Sequence, residues 1–321
     1  MALRTKLTRM LGIDHPILLA PMGGVSGGRL AAAVSEAGGL GIIGGGYADA
    51  DWLAREQAVA GNARVGSGFI TWSLAKHPAT LDVALASSPP AVMLSFGDAA
   101  PFIPKIRAGG ARAICQVQSL AQARTALDQG ADVIVAQGTE AGGHGGARAT
   151  LPLVPAIADV VAASGREVAV VAAGGIMDGR GLAAALMLGA DGVLMGTRFY
   201  VAEESLAAPA AKARVVAGSG DDTLRTMVFD IARGLDWPAE FSGRALANDF
   251  SRRWHGREGA LAAARSTEGA RYAAAVAAAD FDTAVVFTGE GIDLVRGVER
   301  AGAIVARVVR EAEALLARKF A

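Results

Sequence analysis

Short apolar runs bounded by glycine or proline recur eight times before residue 196, and that alternation constrains this chain more than any other feature. The runs lie at 17–20, 40–43, 64–70, 91–96, 111–117, 132–136, 168–172 and 192–195. They are rich in Val and Ile and lack polar alternation, as expected of parallel strands buried on both faces. Helix-compatible segments separate them at 26–37, 50–60, 80–86, 100–108, 120–129, 154–163 and 179–188. Eight strands alternating with helices is the pattern of a (β/α)8 TIM barrel. A doubly wound open sheet uses the same alternation; the count of eight and the glycine clusters after the seventh and eighth runs favour the barrel. Gly130-Ala131-Asp132 and Gly189-Ala190-Asp191 echo one another, each ending a helix and opening a strand.

From Phe199 the pattern changes. No clear strand is expected up to about residue 280, only polar or mixed helical stretches. From Gly291 to the C-terminus, Val295, Val298, Ile304, Val305, Val308, Ala312 and Leu315 read as a last helix that packs on the barrel. The expected organisation is a barrel at 1–198 and 281–321, with a mainly helical insertion at 199–280 after strand 8. That insertion lies on the side where barrel active sites are built. It is read as a cap, with a homodimerisation arm or plain structural filler as the alternatives.

Composition excludes several function classes. A 52% hydrophobic content rules out disorder. The 31 basic and 31 acidic side chains cancel, so no footprint for nucleic acid or an acidic membrane is expected. Cys115 is the single cysteine, which excludes a disulfide framework and a cysteine-rich metal site, and it reads as core. No apolar run reaches the ~18 residues of a membrane span, and residues 1–6 do not resemble a secretory signal. A cytoplasmic protein with a small-molecule substrate is the expectation.

Ala173-Gly174-Gly175 ends the seventh strand, and Gly196-Thr197 ends the eighth. These two loops commonly form the phosphate site of a barrel, because glycine lets backbone N–H groups approach phosphate oxygens. Thr197 adds a hydroxyl, and Arg180 and Arg198 are near in sequence. By contrast, Gly39-Leu40-Gly41-Ile42-Ile43-Gly44 has the G-x-G-x-x-G spacing but brackets a strand. It also lacks an acidic residue some 20 positions on, so it is not a dinucleotide site. After the sixth strand, Gly142-Gly143-His144-Gly145-Gly146 exposes an imidazole suited to general-base work. His15, His77 and His255 have structural contexts, and no second ligand near His144 supports a metal. Ala20-Pro21-Met22 at the first strand end can lie flat against an aromatic ring. Gln116 is the one strongly polar residue inside its run; it either points into the barrel mouth or is a satisfied core amide.

Together these stretches resemble the nitronate monooxygenase, or 2-nitropropane dioxygenase, family along nearly the whole chain. DVIVAQGTEAGGHGG at 132–146 is the most specific. PILLAPMGG at 16–24, AGGLG at 37–41, AAGGIMDGRG at 172–181, GADGVLMGT at 189–197 and Gly289-Glu290-Gly291 accompany it. The resemblance implies an FMN-dependent barrel that oxidises alkyl nitronates by O2 to carbonyl compounds and nitrite. It implies that Ala20, Pro21 and Met22 line the isoalloxazine. Ala173, Gly174, Gly175, Gly196 and Thr197 would hold the phosphate, Gly142 would lie beside the flavin, and His144 would face the substrate. Gln116 stands at a flavin-contact position where some relatives carry Lys. Gly66-Ser67-Gly68-Phe69 replaces a Gly-Val-Asn stretch of many relatives. FMN-dependent NAD(P)H reductases acting on enoyl thioesters or quinones share the flavin loops, and a flavin-binding barrel without turnover is the alternative of another class.

Overall fold

In a computed structural model that describes residues 3–318, the eight runs form one parallel sheet closed on itself. The strands are β1 (Ile17–Leu19), β2 (Ile42–Gly46), β3 (Gly66–Ile70), β4 (Ala91–Ser95), β5 (Arg112–Val117), β6 (Val133–Gln137), β7 (Ala169–Ala173) and β8 (Gly192–Met195). Each of β2 to β8 pairs with its neighbour in sequence, and β8 pairs with β1. A parallel bridge between Leu18 and Leu40 closes the remaining gap, with Leu19 N–H donating to Leu40 O at 2.9 Å. The fold is the expected TIM barrel.

Alternation along each strand sorts the core into two layers. Ile114, Val133, Val135, Val171 and Leu194 fill the barrel interior, and Leu7 and Leu11 from the first helix (Lys6–Leu11) join them. Ala113, Cys115, Ile134, Val170 and Val193 point outward against the helices. Burial pushes the Cys115 thiol up to about 12, which leaves it protonated and inert at physiological pH. The helices at Ala50–Ala60, Thr80–Ala86 and Leu120–Gln129 coincide with the sequence expectation. Asp49 and Ser119 cap two of them through side-chain oxygens.

The repeated Gly-Ala-Asp unit has a structural task. Gly130 and Gly189 turn at φ 94° and 91° after their helices. Each following aspartate then accepts an amide from the neighbouring strand: Asp132 from Ala113 at 2.9 Å, and Asp191 from Val170 at 3.0 Å. The two carboxylates therefore pin β6 to β5 and β8 to β7.

Three sequence expectations need correction. Strand β2 begins at Ile42, because Leu40 is used in the closing bridge and Gly41 packs on the preceding helix. A side chain at Gly41 would put its first carbon 1.9 Å from Ala31 O. The dinucleotide-like glycines are thus packing contacts. Second, the segment 199–280 is helical in large part but contains strands at Thr223–Thr226 and Ser242–Leu246. They form an antiparallel ribbon whose third member is Gly143–Gly145. Third, the last helix is Ala301–Leu316, preceded by a 3₁₀ turn at Glu290–Leu294. Val295 and Val298 lie before it, and the 319–321 end of the expected helix lies outside the described residues, as do residues 1–2 of the expected barrel. Among the described residues no helix is long and apolar enough to cross a membrane, and no side-chain cluster could hold a metal.

Asp132→Ala should destabilise the barrel by about 1–3 kcal/mol, since it strands the buried Ala113 amide without an acceptor. Arg107→Ala, which removes only a half-exposed ion pair to Asp132, should cost under about 1 kcal/mol. Urea unfolding of both variants measures the contrast; equal losses would show that the amide bond is not what matters.

Candidate active site

Above the C-terminal ends of the strands lies a cavity of about 970 Å³. Every residue singled out from the sequence lines it: Ala20, Pro21, Met22, Gln116, Gly142, His144, Ala173, Gly174, Gly175, Gly196 and Thr197. On one side Gly174 (φ 110°) and Gly175 (φ 72°) turn the chain in the left-handed region that a Cβ disfavours. The N–H groups of Gly174, Gly175, Gly196 and Thr197 have no acceptor among the described residues. Thr197 Oγ1 accepts from Gly289 N–H at 3.0 Å, which leaves its own hydrogen to donate. Arg180 and Arg198 are spent on Asp178 and Glu299. This rim therefore offers backbone donors and one hydroxyl, a set that suits a monoester phosphate.

Next to the rim, the loop after β1 is fixed by short bonds. Ala20 N–H donates to Met195 O at 2.9 Å, and Met22 N–H to Ser26 Oγ at 2.7 Å. Pro21 sits directly over Gly68 of β3, where an added Cβ would come within 2.5 Å of the proline ring. The Gly-Ser-Gly-Phe stretch of β3 thus makes room for Pro21 and contributes no polar contact from Gly68.

Gln116 both lines the cavity and belongs to a hydrogen-bonded chain. Gln116 and Gln118 donate to Gln137 Oε1 at 3.2 and 2.8 Å, and Gln137 Nε2 donates to the His144 carbonyl at 3.0 Å. The barrel interior thereby holds the His144 backbone from below. The ribbon holds it from the side, with Gly243 opposite His144.

The His144 side chain is clamped. Its Nε2 lies 2.9 Å from Asp230 Oδ2, the two side chains being 8% and 1% exposed. Trp237 stacks on the imidazole at 3.5 Å between centroids and 3° between planes. Trp237 Nε1 donates to the Tyr47 hydroxyl at 2.9 Å, and burial pushes the Tyr47 phenol up, so it stays neutral. Phe96 meets Trp237 edge-on at 5.1 Å while its backbone is held at φ 63°. Such a conformation costs about 1–3 kcal/mol in a non-glycine residue. Arg233 stands 3.8 Å from the other Asp230 oxygen. With Asp230 Oδ2 as the acceptor, Nε2 carries the ring hydrogen and Nδ1 is the free ring nitrogen.

Asp230, Trp237, Gln137 and Phe96 were not singled out from the sequence. Asp230 carried a readable signal: an acid inside the apolar stretch Val228-Phe229-Asp230-Ile231-Ala232 must find a partner when that helix packs. Trp237 carried none, because its stack on a residue 93 positions earlier depends on the ribbon.

Against known proteins, the family model described as nitronate monooxygenase matches residues 4–66 and 70–311. The chain is similar to nitronate monooxygenase npaC of Metarhizium robertsii, at 35% identity over 336 aligned positions, 94% of this chain and 91% of that one. It is also similar to an octahydro-indene-carboxyl-CoA dehydrogenase of Mycobacterium tuberculosis, at 36% identity over 232 residues. That match takes in 72% of this chain and spans only 65% of the dehydrogenase's length. Among solved structures, FabK from Thermotoga maritima superposes with a TM-score of 0.82 at 29% identity, covering 98% of this chain and 97% of its own.

A carboxylate placed on the glycine rim should repel a bound phosphate. At ~4 Å and an effective dielectric near 20 the repulsion is about 4 kcal/mol, or roughly 10³-fold in affinity. Gly196→Asp is the informative variant, because its Cβ has room beside Ala20 and Met22 at 3.4 and 3.6 Å. Titration with FMN should show that loss, while Gly259→Ala, with open space around it, should bind as the parent does. Full FMN affinity in folded Gly196→Asp protein would move the phosphate elsewhere.

Proposed function

The chain belongs to the nitronate monooxygenase family, and we propose that it is an FMN-dependent enzyme that oxidises alkyl nitronates with O2 to carbonyl compounds and nitrite. The observation that carries this reading is the His144–Asp230 pair facing a glycine-rimmed cavity. The rim at Gly174, Gly175, Gly196 and Thr197 would hold the FMN phosphate, Ala20 to Met22 would lie along the ring, and Gln116 and Gly142 would border it. When bound, FMN supplies the electron acceptor that the side chains of this protein lack.

The chain's own residues do the acid–base and positioning work. In the Nε2–H tautomer, Nδ1 of His144 can take the α-proton of a neutral nitroalkane. Asp230 then stabilises the imidazolium that forms, in the manner of other carboxylate-oriented histidines. Toward a preformed nitronate, protonated His144 serves as a donor to the anion's oxygens. Trp237 covers one imidazole face and keeps water from it.

A second reading, an FMN-dependent NAD(P)H reductase, draws support from the M. tuberculosis relative, a CoA-thioester dehydrogenase by name. Anaerobic mixing of flavin-loaded protein with ethyl nitronate, NADH or NADPH separates the two. Bleaching of the flavin by nitronate alone is expected; rapid bleaching by a nicotinamide would favour the reductase.

His144→Ala should keep flavin and lose roughly 10²–10⁴-fold in neutral nitroalkane turnover; activity on preformed nitronate is largely retained if the residue acts as a base, whereas nitronate KM rises if it holds the anion. Asp230→Asn should approach the same nitroalkane loss, because an amide that donates to Nε2 forces the proton onto Nδ1. Nitrite release with both substrate forms measures this. Equal kinetics in parent and variants would remove the pair from the mechanism.

A further inference from the structure

Part of the cavity wall belongs to the helix Arg265–Ala277 and the chain that follows it. Gly269, Tyr272, Ala273 and Val276 line the cavity at positions i, i+3, i+4 and i+7, a single helical face, and Phe281 and Val285 extend it. An apolar helical face normally closes on a core. This one closes only in part: Tyr272 is 3% exposed and packs among Phe229, Phe250 and Trp254, while Val276 remains 53% exposed.

The wall has almost nothing to offer a polar group. The Tyr272 hydroxyl accepts the Val285 N–H at 3.1 Å. Among the described residues that line the cavity, Arg233 is the one Lys, Arg, Asp or Glu side chain. It is engaged by Asp230 and lies over the Tyr47 ring at 5.7 Å. A sugar, a phosphate or a peptide laid here would give up water without gaining partners. A hydrocarbon chain would gain from every methylene it buried.

We propose that this wall is a subsite for an unbranched apolar chain. The reactive end of the substrate sits at His144, and its chain runs along Tyr272 and Val276 toward the cavity mouth. Seven residues of helix rise about 10 Å, a length that a medium alkyl or acyl chain fills and an ethyl group leaves empty. The substrate class is then a chain-bearing compound in place of the smallest nitroalkanes. For the identity of the reacting group, though not for the chain, this inference rests on the proposed nitronate chemistry.

Two measurements on flavin-loaded protein test it. The first is the Kd of straight-chain alkanoates from acetate to decanoate, unreactive planar anions that resemble a nitronate, by isothermal calorimetry. The second is kcat/KM for nitronates from ethyl to octyl. Both should improve with each methylene, by up to about fourfold per step, and level off once the chain outruns the wall. Val276→Asp should flatten the dependence. Val59→Asp, at a valine 58% exposed on the helix Ala50–Ala60 and absent from the cavity wall, should leave it intact. Equal affinities for acetate and decanoate, or a slope that survives Val276→Asp, overturn the subsite. A slope for alkanoates without turnover of any nitronate upholds the subsite and removes the nitronate reading. Turnover of every nitronate with no slope does the reverse.

Discussion

Closure of the parallel sheet between β1 and β2 is the constraint on which the rest of this molecule depends. The closing contact is slight, one bridge at Leu18 and Leu40 with two backbone hydrogen bonds. It exists because glycines at 39 and 41 let the strand approach Ile17 and the helix Gly28–Glu36. With the ring closed, all eight C-terminal strand ends point the same way. Loops far apart in sequence, after β1, β6, β7 and β8, then share one cavity. An open sheet would have spread them along an edge.

The second layer of organisation is the ribbon. Loop 143–145 has no regular structure to gain from its own sequence, being glycine on both sides of the histidine. Pairing with Ser242–Leu246 gives it a register, and the buried Arg244 and half-buried Arg225 lock that register. Arg225 and Arg244 both donate to Thr139 O, and Arg225 also donates to Gly145 O and Ser242 O. Burial, with Arg244 beside it, pulls the Arg225 guanidinium down to about 10, still charged at neutral pH. The carbonyls accept hydrogen bonds from its Nε and Nη1, and the result is a rigid mount for His144.

What was legible in the sequence follows from how far each feature reaches along the chain. Strands and most barrel helices are set by local patterning, and the Val- and Ile-rich runs mark them within a few residues. Glycine clusters at strand ends are also local, so the cavity-lining residues at 20–22, 173–175 and 196–197 could be found. Strands Thr223–Thr226 and Ser242–Leu246 could not, because Thr-Leu-Arg-Thr and Ser-Gly-Arg-Ala-Leu have weak strand character and are fixed by pairing with each other and, for Ser242–Leu246, with the glycine loop. The partners of His144 belong to the same category. Asp230 and Trp237 meet the imidazole through tertiary packing over 86 and 93 positions, a distance over which no periodicity carries information.

This division of labour explains why barrels with the same glycine loops can differ in chemistry. The parts suited to hold a mononucleotide are backbone N–H groups and small residues fixed by the closed sheet, which specify a phosphate and a flat ring but no reaction. What the barrel loops leave open are the surroundings of His144 and the shape of the space in front of it. Here both are set from the segment after β8: Asp230 pairs with Nε2, Trp237 covers one ring face, and the helix Arg265–Ala277 walls the space. Substitutions in that segment leave the barrel closure and the glycine rim untouched while altering the acid–base partner or the wall. The surroundings of His144 and the far wall of the cavity are therefore to be read from residues 199–287, and the glycine rim from the strand ends.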